Sequence, residues 1–167
     1  MKANEKHSKY RMTETTVYQC RYHIIFCPKY RRKVLTPLIQ EKFKEIVMSM
    51  QKENNYIVLK MKIMPEYVHL YLDIDPTIGV DMIVSRIKGK TSNILNKEFP
   101  ELKKKLPTLW SRSKFISTEK SVLLATIKAY TDSQKAGQTT NTEFMNSDMG
   151  GNLLQGIETT KIIGGKT

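Results

Sequence analysis

The stretch Met64-Pro65-Glu66-Tyr67-Val68-His69-Leu70-Tyr71-Leu72-Asp73-Ile74-Asp75-Pro76 decides how the chain folds. From Tyr67 to Ile74 it alternates strictly, with Val68, Leu70, Leu72 and Ile74 on one side and Tyr67, His69, Tyr71 and Asp73 on the other, the period of a strand covered on one face. An imidazole, two phenols and a carboxylate therefore share a polar row, spaced about 7 Å per step. Such a row can aim several groups at one metal ion or phosphate, although an isolated histidine on an exposed face is more often no ligand at all.

Upstream, Ile57, Leu59, Met61 and Ile63 alternate with Val58, Lys60 and Lys62, which predicts a second strand with its lysines beside the polar row. Only Met64 to Glu66 separate the two strands, so they form an antiparallel hairpin. Further back, Tyr18, Cys20, Tyr22, Ile24 and Phe26 alternate with Gln19, Arg21, His23 and Ile25, a strand whose outer row is polar apart from Ile25 and which ends at Pro28. The loop Lys29, Tyr30, Arg31, Arg32, Lys33 sets four cations around one ring, a composition suited to phosphate contact and base stacking. Thr36 as N-cap and Pro37 at the first position open a helix whose stripe is Ile39, Phe43, Ile46, Val47 and Met50, ending near Asn54 and Asn55.

After Pro76, a second helix buries Val80, Ile83, Val84, Ile87, Ile94 and Leu95 and turns Arg86, Lys88, Lys90, Asn93 and Lys97 outward. Lys88 and Lys90 on that face, next to a polar sheet, suggest a basic groove for nucleic acid. A last strand is expected from about Leu109 to Ser117, and Thr118 caps a helix from Glu119 to about Lys135, with Leu123, Ile127, Tyr130 and Gln134 along one side. Strand, helix, strand, strand, helix, strand is the split βαβ order, an α+β, ferredoxin-like or RRM-like four-stranded antiparallel sheet with two helices on one face, plus the C-terminal tyrosine-bearing helix. That topology hosts many functions, RNA recognition among them.

The 167 residues suit one domain with a real core. Lys and Arg number 28 against 16 Asp and Glu, a net charge of +12 that points to a polyanion, with nucleic acid first. No segment approaches 18 apolar residues and none has the secretory pattern, so a membrane role is not expected and a cytoplasmic location is. Cys20 and Cys27 lie about 23 Å apart in an extended strand, which predicts free thiols. Residues 1–15 read as a flexible basic arm, 16–135 as the folded domain, and 136–167, with six of the eight glycines and a charge of minus one, as a poorly ordered tail.

The run from Tyr22-His23-Ile24 through Pro28-Lys29-Tyr30-Arg31-Arg32-Lys33-Val34-Leu35, with Met64 to His69, Leu106 to Trp110, Phe115 to Thr118 and the helix of Tyr130 and Gln134, resembles the single-tyrosine HUH transposases of the smallest bacterial insertion sequences, relatives of the REP-associated tyrosine transposases. The resemblance implies a homodimer, with active sites completed in cis or in trans, that binds hairpins in single-stranded DNA at transposon ends. It cuts and rejoins strands through a 5′-phosphotyrosine, without a nucleotide cofactor. Carried over by position, Tyr130 is the nucleophile, His69 a ligand for Mg²⁺ or Mn²⁺, and Gln134 the polar group completing the metal site. Where the family has the first histidine of its motif this chain has Tyr67, and a neutral phenol is a poor ligand for such ions. The departure predicts weakened metal binding and keeps open an alternative, a degenerate member that binds DNA hairpins without cleaving them, as repressor or structural binder.

Overall fold

Val68, Leu70, Leu72 and Ile74 are completely buried, and the computed structural model, which describes residues 9–135, builds its main sheet around the strand they define. That strand, β5 (Tyr67–Ile74), pairs antiparallel with β4 (Tyr56–Met64) through a two-residue turn at Pro65 and Glu66. Its other edge pairs with β3 (Arg21–Phe26), which in turn pairs with β6 (Phe115–Ser117). The order β4-β5-β3-β6, all antiparallel, is the four-stranded sheet that the element order requires.

One face of the sheet carries the core. Helices α1 (Pro37–Ser49) and α3 (Val80–Glu98) pack there, burying Ile39, Phe43, Ile46 and Val47 from the first and Ile83, Val84, Ile87 and Leu95 from the second. Pro37 opens α1 as expected, while a short turn of helix, α2 (Gln51–Asn54), follows it and Asn55 closes the run in the left-handed region at φ 52°. Trp110 closes one end of this core. Its ring meets Phe26 edge-on at 4.8 Å, and its Nε1–H donates to Thr91 Oγ1 at 3.0 Å.

The structure differs from the sequence reading in several places. A register shift between Val58 and Lys60 inserts an extra residue in β4, so Tyr56 and Val58 face the core in place of Ile57 and Leu59, and the Tyr56 hydroxyl donates to the Val47 carbonyl. The first strand breaks at Gln19 and Cys20, because Val17–Tyr18 (β2) pairs instead with Arg11–Met12 (β1). Residues 9–15, read as part of a flexible arm, are thus tied to the domain, with Arg11 donating from Nη1 to the Asp73 carboxylate at 3.1 Å. Residues 1–8 and the glycine-rich tail lie outside the described residues.

The last two elements are shorter than expected. Leu106 to Lys114 is irregular apart from a bridge between Trp110 and Pro28, preceded by a short helix α4 (Glu101–Lys105), and only Phe115–Ser117 joins the sheet. The final helix, α5 (Leu124–Ser133), starts five residues later than Glu119, leaving Leu123 65% exposed where a buried stripe position was expected. Both cysteines are free, Cys27 being buried. No helix among the described residues is long and apolar enough to cross a membrane.

Candidate nucleic-acid interface and active site

The face of the sheet opposite α1 and α3 is laid out in two parallel rows. β3 presents Arg21, His23 and Ile25, with Cys27 just past its end; β5 presents Asp73, Tyr71 and His69 directly across from those three, with Tyr67 two positions before His69; and β4 sets Lys60 opposite Tyr71 and Lys62 opposite His69. The rows divide into three zones along the strands.

At the Cys27 and Tyr67 end, α5 lies on the sheet. Ile25, Cys27, Tyr67, Ile127 and Tyr130 form an apolar cluster separate from the main core, with Met64, Phe115 and Val122 packed against it. Here Ile25 finds its reason. It is the apolar member of an otherwise polar row because a helix covers it, and it is fully buried. Tyr130 is 2% exposed, its ring 5.5 Å from that of Phe115, and burial raises its phenol above the usual tyrosine range. The Tyr67 phenol is raised for the same reason, reinforced by the Glu66 carboxylate, so both rings are neutral at pH 7.

In the middle zone sit two imidazoles. His23 Nδ1 and His69 Nε2 face each other at 3.0 Å, and the ring of His23 stacks on Tyr71 with centroids 4.2 Å apart and 12° between planes. Desolvation, followed by His23, Lys62 and Lys60, lowers His69 to about 4. It is therefore neutral under ordinary conditions. A pocket of roughly 170 Å³ opens over His23, His69, Lys60, Lys62 and Tyr71. Through Tyr71 it adjoins a groove of roughly 730 Å³ lined by Lys9, Arg21, Tyr22, Thr118 and Lys120. At the far end Asp73 is held between Arg11 and Arg21.

Several residues singled out from the sequence occupy different surroundings. Lys29, Tyr30 and Arg31 form a 3₁₀ turn with Tyr30 and Arg31 at positive φ, 60° and 51°. Tyr30, Arg32 and Lys33 are exposed, and Lys29 partly so. Arg31 instead turns inward, pairing with Asp132 of α5 and, at 3.7 Å, with Glu66, so it ties the basic loop and the hairpin turn to the tyrosine helix. Lys90 is exposed, but Lys88 crosses beneath the 111–113 segment, donating to the Ser111 carbonyl at 2.6 Å, and desolvation lowers it to about 8. Gln134 is 1% exposed, accepts from Ser111 Oγ at 3.1 Å and donates to Ser133 Oγ at 3.3 Å.

Each residue carried over by position as a metal ligand has other partners in the structure. Tyr67 is a neutral phenol inside an apolar cluster, the Gln134 amide is committed to two serine hydroxyls, and no group of three or more His, Cys, Asp or Glu gathers among the described residues. His69 pairs with His23 instead. His23 stood in the outer row of its strand, but spacing along one strand cannot show that an imidazole on the neighbouring strand lies beside it. Lys120 and Thr118 reach the groove only through the irregular segment before α5, for which the sequence has no periodic signal.

A four-stranded antiparallel sheet with two helices on one face, and on the other a lysine-flanked histidine pair beside a helix-borne tyrosine, defines the class of this α+β domain. The chain belongs to the IS200-like transposase family, whose model matches residues 16–134. It is 35% identical over 120 residues to the ISDra2 transposase TnpA of Deinococcus radiodurans, covering 71% of this chain and 86% of that protein. It is 30% identical over 105 residues to the transposase for insertion sequence element IS200 of Salmonella typhimurium, covering 62% of this chain and 69% of that one. A crystal structure from Deinococcus radiodurans R1, assigned as a transposase, superposes with a TM-score of 0.68 at 29% identity, over 74% of this chain and 97% of that chain.

Proposed function

We infer that this transposase acts on single-stranded DNA, holding hairpins at transposon ends and cutting and rejoining strands through Tyr130, as a homodimer. The observation that carries this reading is the common placement of Tyr130 and His69. Tyr130 packs in one cluster with Ile25, the residue directly across from His69, and with Tyr67, two positions before it on the same row. A strand lying in the adjoining pocket and groove would bring its phosphates to Lys60, Lys62, Arg21 and Lys120 and a base to the ring of Tyr71.

In the reaction, Tyr130 Oη forms a bond to the scissile phosphorus and the bond to the 3′-oxygen breaks. The phenolic proton is lost and the departing oxygen gains one, leaving a 5′-phosphotyrosine and a free 3′-OH. The link keeps the energy of the phosphodiester, so rejoining needs no nucleotide. The ammonium groups of Lys60 and Lys62 are positioned to take up charge that develops on the phosphoryl oxygens. Because Tyr130 is buried against the sheet, attack requires α5 to lift or to exchange with a second copy, and the Arg31 to Asp132 ion pair is the tie that must open.

The test is a denaturing gel of the full chain mixed with hairpin-bearing single-stranded DNA and Mn²⁺. A covalent protein–DNA band supports the reading. A second reading, hairpin binding without cleavage, is favoured by the burial of Tyr130 and by the phenol at position 67. It is supported if the same DNA is retarded on a native gel while no covalent band forms.

A further inference from the structure

We propose that His23 and His69 together form a cross-strand, two-imidazole site for a borderline divalent cation, with Ni²⁺ and Co²⁺ preferred over Mg²⁺, and that neither Tyr67 nor Gln134 contributes to it. The proposal deepens the strand-cleavage reading at the question of what holds a cation on this face. It can fail separately, since its test contains no DNA.

The geometry has three parts. First, two nitrogens each about 2.1 Å from one ion and at right angles across it lie about 3.0 Å apart, and His23 Nδ1 and His69 Nε2 are 3.0 Å apart. Second, the lone pair of His23 points the right way. Its Nε2 lies 3.4 Å from the Lys120 carbonyl, which can only accept, so the proton is on Nε2 and Nδ1 carries the free pair. A ligating histidine whose other N–H is held by a backbone carbonyl is the usual supporting arrangement around metal-bound imidazole. Third, stacking on Tyr71, with centroids 4.2 Å apart, holds the His23 ring in the plane that faces its partner.

With the proton of His23 on Nε2, His69 donates from Nε2 to His23 Nδ1. On binding, the His69 proton moves to Nδ1 and both facing nitrogens become donors to the metal, with no net change in protonation. Two neutral imidazoles favour nickel, copper, cobalt or zinc over the harder magnesium. The remaining coordination positions open into the pocket, toward Lys60 and Lys62. Those two ammoniums oppose a bare dication and suit an anionic oxygen, such as that of a phosphodiester, on the ion's free side.

The test is a Co²⁺ titration of the untagged full chain at pH 7, followed by proton NMR for hyperfine-shifted, exchangeable imidazole N–H signals. Two such signals rising together to one equivalent are expected, with His7→Ala leaving both. Apparent affinity falls at least tenfold in His23→Gln and in His69→Gln, whose folding is checked by circular dichroism, and changes less than twofold in Tyr67→Phe and Gln134→Ala. Lys60→Ala/Lys62→Ala binds Co²⁺ more tightly than the unmodified chain. The proposal is overturned if the unmodified protein shows no saturable signals up to millimolar Co²⁺, if they vanish in His7→Ala, or if Tyr67→Phe or Gln134→Ala removes them while His23→Gln does not.

Discussion

Replacing Tyr67 by histidine is the change that the resemblance suggests for gaining a metal ligand, and the structure predicts that it damages the protein. Tyr67 is 8% exposed in the cluster of Ile25, Cys27, Ile127 and Tyr130. Exchanging its ring for the smaller imidazole withdraws roughly 50–60 Å² of apolar contact, about 1.5 kcal/mol at 25 cal/mol per Å². Placing polar ring nitrogens among those side chains costs about 1–3 kcal/mol more. The sum, about 2.5–4.5 kcal/mol, falls on the contact that seats α5, so it appears first as loss of hydrogen-exchange protection in residues 124–133 and only then as global unfolding. Tyr67→Phe keeps the ring and stays within about 1 kcal/mol of the unmodified chain. Thermal melts and exchange mass spectrometry on the three proteins decide the matter. If Tyr67→His melts like the unmodified protein and α5 keeps its protection, Tyr67 is not the packing residue described above and its side chain is free to serve the site.

Arg31→Ala removes the ties to Asp132 and Glu66; because Asp132 is 43% exposed, the loss is that of a screened pair, about 0.4–1 kcal/mol, read as exchange in α5 faster by about two- to fivefold. Unchanged exchange would show that the ion pair does not hold the helix. Burial pushes the Cys27 thiol up to about 12, so at pH 8 its thiolate fraction is about one in ten thousand and iodoacetamide labels Cys20 while sparing Cys27 in the native protein. The rate at Cys27 climbs about tenfold per pH unit as long as the fold persists, and equal labelling of both thiols at pH 8 contradicts the burial. Thr91→Val strips the buried Trp110 Nε1–H of its acceptor and lowers stability by about 1–3 kcal/mol in urea titrations, whereas Thr91→Ser retains most of it.

The sequence alone determined the sheet, the two helices behind it and the family. The run from Tyr67 to Ile74 could be read because a half-buried strand writes its two faces into alternate residues, and the stripe of α1 because a helix buries every third or fourth. Local periodicity failed where it was interrupted. The bulge in β4 exchanged Ile57 and Leu59 for Tyr56 and Val58, and the irregular segment before α5 hid where that helix begins. The site belonged more to tertiary structure. Tyr130, His69 and the basic loop stood out by residue type and resemblance, but three facts depended on which strands became neighbours. These are that Arg31 faces α5, that Gln134 is bound to Ser111, and that His23 lies against His69. His23 and His69 are 46 positions apart and meet only because β3 and β5 pair in one register, a relation between strands that no spacing along either one contains.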